Sequence, residues 1–388
     1  MTPPPETPAA IESAMRRALD LARRAEGQTR PNPLVGAVIL REGRVIGEGF
    51  HARAGEPHAE AQALTQATED PRGATMVVTL EPCSHHGRTP PCSDAVIRAG
   101  IARVVIAQRD PNPLARGGVE RLREAGVAVE TGVMEQEAML LNPAFNTYHQ
   151  LGRPLVTLKW AMSADGCTAS SSGHSAWITS PESRTRAHAM RAAHDAVLVG
   201  VETALMDGAK LTIRHVEQPP GPPLRRIVLD SQLRLPPGHP LVTETQGRAV
   251  VVCADNAPAD REMALTSEGA EVWRLRPGVD GRVSLADLML TLRGHGIQSV
   301  LVEGGRRVAG QMIRFGFADR VAAFLAPVLI GAGGAPLSAL TGDDPITTMS
   351  DALRLHHARF ETIGPDVLME GWITRHLFED VAPAGTDR

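Results

Sequence analysis

Apolar positions repeat with a helical period at the start of the chain and then alternate with the period of strands. Ile11, Met15, Ala18, Leu19 and Ala22 share one side of a helix expected over 11–26, with Arg16, Arg17, Arg23 and Arg24 turned largely away. Residues 35–40 and 45–50 predict two strands about the turn Arg41-Glu42-Gly43-Arg44. A helix after Pro57, a strand over 75–80, a helix over 92–99 closed by Gly100 and a strand over 103–107 follow. A helix over 117–125 closed by Gly126, a strand over 127–130 and a last helix over 134–150 complete the first region. Strands joined by helices in this way imply a sheet covered on both faces.

The pattern breaks at Leu151-Gly152-Arg153-Pro154 and then resumes. Strands are expected over 155–162, 196–200, 226–230, 249–254, 299–303 and 320–330, and helices over 181–193, 284–293 and 306–315. Residues 357–363 and 367–374 flank Gly364-Pro365 as a closing hairpin, and the Pro-rich stretch 218–223 is a surface loop. Residues 1–9 and the tail from Val381 are expected to lack fixed structure. The division is therefore 1–150, 151–380 and a short tail 381–388, with both domains α/β. A length of 388 residues accommodates two such domains.

Seven Phe, four Trp and one Tyr leave Ala, Val and Leu to fill the cores. Forty Lys and Arg against 44 Asp and Glu give a net charge of −4, which argues against coating nucleic acid. The longest apolar run, 321–330, contains Pro327 and falls short of the ~18–20 residues of a membrane span. The start, Met1-Thr2-Pro3-Pro4-Pro5, has no basic-then-apolar signal, so a soluble cytoplasmic protein is expected. Four cysteines in that setting are read as metal-binding or catalytic before disulfide-forming; Cys167 and Cys253, without spaced partners, are read as packing residues.

The sharpest chemical signal is His58-Ala59-Glu60, followed by Glu81-Pro82-Cys83 and then Cys92, nine positions beyond Cys83. One imidazole and two thiolates make three ligands for zinc and leave a tetrahedral corner for water. Glu60 is close enough to His58 to serve that corner as general acid and base without binding the metal, as in the zinc deaminases. Cys92 at a helix start gains from the partial positive charge there. A closed structural site with His85 or His86 as fourth ligand is the alternative, and Glu60 has no purpose in it.

Pro31-Asn32-Pro33-Leu34-Val35-Gly36, the run from Thr79 through Cys83-Ser84-His85-His86-Gly87-Arg88-Thr89-Pro90-Pro91-Cys92, and Asp110-Pro111-Asn112-Pro113 resemble the bifunctional riboflavin-biosynthesis deaminase–reductases. So do Ser175-Ala176-Trp177-Ile178-Thr179-Ser180, Leu211-Thr212-Ile213-Arg214, Leu229-Asp230-Ser231 and Val302-Glu303-Gly304-Gly305. The resemblance covers about 11–375 and implies a cytidine-deaminase-like three-layer αβα domain followed by a dihydrofolate-reductase-like α/β domain. It implies zinc-dependent hydrolytic deamination of 2,5-diamino-6-(5-phosphoribosylamino)pyrimidin-4-one, then NADPH-dependent reduction of the ribosyl group to ribityl. Asn32, His85, Arg88, Asp110 and Asn112 are implied to line the first pocket. Read without the family, Asp110–Asn112 is an ordinary turn.

No Gly-x-Gly-x-x-Gly opens a βαβ unit, so a Rossmann domain is not expected. Gly331-Ala332-Gly333-Gly334 reads as a flexible turn, whereas Glu303-Gly304-Gly305 sits between a strand and a helix, where free N–H groups suit a diphosphate. The resemblance assigns Ala161, Trp177, Thr203, Asp207, Ser231 and Gly305 to NADPH. It assigns Ser175, Arg191, Leu211, Arg214 and Glu303 to the substrate phosphate, with Lys159 near the reacting ribose. The chain departs from the family at Gly208-Ala209, where Asp-Pro is usual, at Glu202 before Thr203, and at Ser163-Ala164-Asp165-Gly166-Cys167. A small-molecule substrate and a homo-oligomer are expected, with neither nucleic acid nor membrane as partner. A deaminase whose C-terminal domain binds a nucleotide without turnover is the other reading.

Overall fold

The structure is a computed structural model that describes residues 6–85, 90–278, 280–331, 333–336, 347–374 and 376–378. The chain divides into two compact units, 1–152 and 153–388, two residues beyond the boundary expected from the sequence.

The first unit runs α1 (Pro8–Arg23), β1 (Gly36–Arg41), β2 (Arg44–Phe50), α2 (Ala59–Thr65), β3 (Thr75–Leu80), α3 (Cys92–Arg98), β4 (Arg103–Gln108), α4 (Gly118–Glu124), β5 (Ala128–Thr131), α5 (Glu135–Leu141) and α6 (Pro143–Gln150). Its sheet has the order β2-β1-β3-β4-β5, antiparallel at β1 and parallel from β3 to β5. Alternate strand residues face opposite sides. Ile39, Met76, Val78, Val104 and Ile106 meet Ala63, Val96, Val119 and Leu122 of α2–α4 on one face. Val38, Leu40, Val77 and Val105 meet Ile11, Met15, Ala18 and Leu19 of α1 on the other, so the unit is three-layered. The helix lies so close to the sheet that a Cβ on Gly36 would stand 1.9 Å from the Ala18 carbonyl oxygen. Only glycine fits there.

α1 begins at Pro8, inside the stretch expected to lack structure, because Thr7 caps it by accepting the Ala10 N–H at 3.2 Å. The single helix expected over 134–150 is two helices, since Pro143 cannot donate to the helix ladder. Asn142 at the junction holds Leu34, accepting its N–H at 2.7 Å and donating to its carbonyl at 2.8 Å.

The second unit contains β6 (Leu155–Ser163), β7 (Cys167–Ala169), α7 (Pro181–Ala193), β8 (Ala196–Gly200), α8 (Val201–Asp207), β9 (Arg225–Leu229), α9 (Pro240–Thr243), β10 (Arg248–Ala254) and α10 (Ala259–Ser267). It continues with β11 (Glu271–Leu275), α11 (Leu285–Gly294), β12 (Ser299–Glu303), α12 (Arg306–Arg314), β13 (Arg320–Ala326), β14 (Ala335–Pro336), β15 (His356–Ile363) and β16 (Asp366–Trp372). Among the described residues nine strands form one sheet, β11-β10-β9-β8-β12-β6-β13-β16-β15, parallel except where β16 pairs with β13 and β15. Val156, Leu158, Ile227, Val250 and Val300 pack on Leu288, Leu292 and Met312 on one face. Val197, Val228 and Val251 pack with Leu233, Leu241 and Leu265 on the other.

β13 stops at Ala326 rather than reaching 330, where Pro327 offers no N–H. α8, α9, α10, β7, β11 and β14 are additional to the elements expected from the apolar pattern. α8 ends at Gly208, which takes the left-handed conformation (φ 54°) and so explains the glycine at this departure from the family. Among the described residues no helix is long and apolar enough to cross a membrane.

Candidate active sites

In the first unit three donors converge from three elements: His58 at the N-cap of α2, Cys83 just past β3, and Cys92 opening α3. Their ligand atoms all lie within 4.8 Å of one another. His58 Nδ1 is 3.2 Å from Cys92 Sγ and 3.8 Å from Cys83 Sγ, which identifies Nδ1 as the donor nitrogen, a choice the sequence left open. These separations suit an ion with bonds of ~2.0–2.3 Å, and the imidazole-dithiolate set suits zinc. Among the described residues no fourth His, Cys, Asp or Glu joins the cluster; His85 lies exposed in the following loop. Arg88 and His86 fall outside the described residues.

Glu60 is buried on the first turn of α2, and burial, reinforced by the negative Cys83 sulfur, pushes its carboxyl up to about 7. A carboxyl poised there can both take and return a proton near neutral pH. The hydrogen bond from Cys92 draws Cys83 down to about 4, assisted by His58, while the same bond and burial push Cys92 up.

Two residues that sequence reasoning left without a role organise the pocket. His51 is buried edge-on to His58, with Nδ1 3.3 Å from the Pro57 carbonyl and Nε2 3.1 Å from Asn32 Nδ2. With Nδ1–H donating to Pro57, Nε2 accepts from the Asn32 amide and leaves Asn32 Oδ1 as an acceptor. Glu81 is fully buried and accepts from Arg109 Nε and from the N–H groups of Asp110, Gly117 and Val119, at 3.0–3.2 Å. It thereby fastens the Asp110 loop to the segment that runs from the end of β3 to Cys83. Asp110, raised to about 6 by burial, accepts the Asn112 N–H at 2.8 Å, and Asn112 in turn accepts the Leu114 N–H at 3.1 Å. Position in the motif Glu81-Pro82-Cys83 was the available signal for Glu81; nothing in the local pattern marked His51.

In the second unit the candidate residues gather at the C-terminal ends of adjacent parallel strands, the usual ligand edge of such sheets. Ala161 lies on β6, Thr203 follows β8, Ser231 follows β9, and Glu303-Gly304-Gly305 end β12. Gly304 and Gly305 both have positive φ (62° and 74°), and a Cβ on Gly304 would stand 2.9 Å from Thr203 Cγ2. The first hydrogen bond entering α12 is Ala309 N–H to Gly305 C=O, so the preceding N–H groups have no helix carbonyl to meet. A tight glycine backbone before unspent N–H groups fits a dinucleotide diphosphate.

Glu303, buried, takes Arg191 in a two-pronged pair at 2.5 and 2.9 Å, with Lys159 Nζ at 3.9 Å. Burial would raise its carboxyl, but Arg191 and Lys159 outweigh it and hold the group near 2. Burial lowers the pKa of Lys159 against the pull of Glu303. The third Arg191 nitrogen donates to the Thr212 carbonyl at 2.8 Å, so its guanidinium is engaged within the protein. The Arg214 guanidinium, in contrast, has no hydrogen bond or ion pair among the described residues. Ser175 donates to Asp207 at 3.2 Å, Ser231 accepts the Val283 N–H at 3.1 Å, and exposed Trp177 carries the Arg184 guanidinium 4.4 Å from its ring centre. Leu211 is buried with a left-handed backbone (φ 55°). Glu202, the departure beside Thr203, pairs with Arg234 at 2.7 Å.

Residues 154–369 match the RibD C-terminal domain, and 8–108 match the cytidine and deoxycytidylate deaminase zinc-binding region. The riboflavin biosynthesis protein RibD of Aquifex aeolicus is 44% identical over 92% of this chain and 96% of its own. The chain belongs to the RibD family. The Escherichia coli RibD protein is 41% identical over 92% of this chain and 98% of its own. Among solved structures, the Thermotoga maritima diaminohydroxyphosphoribosylaminopyrimidine deaminase/5-amino-6-(5-phosphoribosylamino)uracil reductase superposes with a TM-score of 0.78 at 37% identity. It covers 94% of this chain and 99% of its own; Acinetobacter baumannii RibD gives 0.79 at 34% identity over the same shares. As a RibD protein the chain is a bifunctional riboflavin-biosynthesis enzyme, a zinc deaminase joined to an NADPH-dependent reductase, with the expected cytidine-deaminase-like and dihydrofolate-reductase-like folds.

Proposed function

We propose that Glu60 is the proton carrier of the deaminase and that Asn32, His85, Arg88, Asp110 and Asn112 hold its substrate, with His58, Cys83 and Cys92 as the zinc ligands. His58, Cys83 and Cys92 would hold zinc, whose Lewis acidity would make a water nucleophilic near neutral pH. Glu60 takes the proton of the attacking water and delivers it to the departing amine. Asn32 Oδ1 and Asp110 accept from donors on the pyrimidine edge, and Asn112 braces the turn between them. The observation that carries this reading is a buried Glu60 carboxyl beside three converging metal donors.

In the reductase, NADPH supplies the hydride, and the protein orients its two reactants. Ala161, Trp177, Thr203, Asp207, Ser231 and Gly305 contact the cofactor; Ser175, Leu211 and Arg214 hold the phosphate of the aminouracil. Lys159 and Glu303 flank the reacting ribose, and Arg191 acts there by fixing the Glu303 carboxylate. The Arg214 guanidinium, without a hydrogen bond or ion pair among the described residues, and the engaged one of Arg191 support this division.

The test is one incubation of the diaminopyrimidinone phosphate with enzyme, with and without NADPH. Ammonia appears in both, and NADPH absorbance falls with a ribitylaminouracil mass only where the cofactor is present. Saturable NADPH binding without oxidation would return the reading to a single-activity deaminase. Stripping the metal with a chelator is expected to abolish ammonia release while reduction of supplied aminouracil phosphate continues, and added zinc restores the first activity. Gly304→Ala is expected to raise the NADPH KM by about tenfold, because a Cβ must be accommodated at positive φ against Thr203. The same variant leaves deamination unchanged.

The assembly we propose is a homo-oligomer. Among the described residues β15 lies at one end of the nine-stranded sheet and exposes Phe360 (71%), an edge that would suit another chain. Light scattering of the purified protein checks it. Cytoplasmic residence is also proposed, in keeping with four free cysteines among the described residues.

A further inference from the structure

The segment between α8 and β9 that carries Leu211 and Arg214 has no helix or strand over 210–215 to hold it. Leu211 and His215 both take left-handed backbone (φ 55° and 66°), which disfavours residues with a Cβ. Side chains from elsewhere hold its backbone. Arg226 Nη1 donates to the Lys210 carbonyl at 3.1 Å and Arg191 Nη1 to that of Thr212 at 2.8 Å. Gln246 accepts the Ile213 N–H at 2.9 Å and donates to its carbonyl at 3.0 Å. The last fastening is His188 on α7, whose Nδ1 accepts the Arg214 N–H at 3.1 Å.

We infer that His188 is a positioning residue of the reductase, which fixes the Arg214 backbone so that the free guanidinium meets the substrate phosphate. The inference rests on the assignment of that phosphate to Arg214 under the proposed function. His188 is buried and precedes Arg191 by three positions on α7, so both project from one face of the helix. One of them pins Thr212 and the other pins Arg214, and a single helix thus sets both ends of the turn. Because Nδ1 must accept, the ring works in its neutral form with the proton on Nε2. Burial and the charges of Arg191 and Arg214 hold its pKa down to about 4, against the opposing pull of Glu303. His215 packs edge-on to the ring at 5.1 Å.

The experiment compares His188→Leu, His188→Asn and Arg214→Gln in the full-length zinc-loaded enzyme. Steady-state reduction is measured against the aminouracil phosphate and against NADPH, alongside thermal unfolding. His188→Leu and Arg214→Gln are each expected to raise the KM for the phosphate substrate by about tenfold, with the NADPH KM within about twofold of the parent. His188→Asn, which offers an acceptor near the Nδ1 position, is expected to recover most of that loss. Combining His188→Leu with Arg214→Gln should add little to either change, as expected of residues that act through one contact. A parental KM in His188→Leu beside a raised one in Arg214→Gln would overturn the role of His188. Equal losses in both KM values and kcat, accompanied by a lower unfolding temperature in both His188 variants, would overturn it too. A parental KM in Arg214→Gln would instead remove the phosphate assignment, and the inference with it.

Discussion

Glu60→Gln is expected to keep its zinc and to lose ammonia release by about a thousandfold or more, with reduction of supplied aminouracil phosphate unchanged. Glutamine matches glutamate in size, so α2 should pack as before and His58, at its N-cap, should stay in place. What disappears is the capacity to take a proton from water and give it to nitrogen. Burial puts that capacity near neutrality, with a carboxyl at about 7. Metal content by mass spectrometry, ammonia by a coupled assay and NADPH oxidation in a separate assay measure the three parts. Loss of the metal together with the activity would mean that Glu60 holds the ligand set and not the proton.

The second large effect is at Glu303. Glu303→Ala would leave Arg191 and Lys159 buried without their shared counter-charge, and breaking such a group costs about 3–5 kcal/mol. Reduction should fall at least a hundredfold, since Lys159 and the Thr212 carbonyl held by Arg191 both lose their reference point. Deamination should persist below the unfolding transition of the second unit. The pH dependence has a definite sign. Glu303 titrates near 2 when folded, below the ordinary carboxyl value of 4.5, so its stabilising contribution is complete above about 4.5 and is lost as pH falls toward 2. The gap in unfolding temperature between parent and Glu303→Gln should therefore narrow across that window. A constant gap would mean that the pair contributes through packing rather than charge.

Much of this architecture was legible in the chain because strong signals coincided. The strand over 75–80, the helix over 181–193 and the strands over 196–200 and 299–303 have the limits that their apolar patterns indicate. The metal donors were legible because only a few side chains bind zinc, and their spacing placed each at an element end. Short helices with few buried positions escaped: α8 has seven residues and buries only Val201 and Ala204, too few to set a period. α10 buries only Leu265 among nine residues, and so reads as polar loop. The supporting residues escaped for another reason. Glu81, His188 and Gln246 act on backbone groups of segments remote in sequence and His51 on the Asn32 side chain, and no local pattern records a hydrogen bond between residues 19, 26 or 38 positions apart.

The junction between the last two helices of the first unit bears on how small a working deaminase can be. The family signature ends at residue 108, yet Asn142 grips the backbone of Leu34 from 108 positions away, two residues from Asn32. A fragment trimmed to the signature would retain every metal donor but release the strap that keeps Asn32, the amide proposed to read the pyrimidine, in register. Anyone excising this half as an independent catalyst should cut after α6, because the shortest stretch that contains the chemistry is shorter than the stretch that holds its shape.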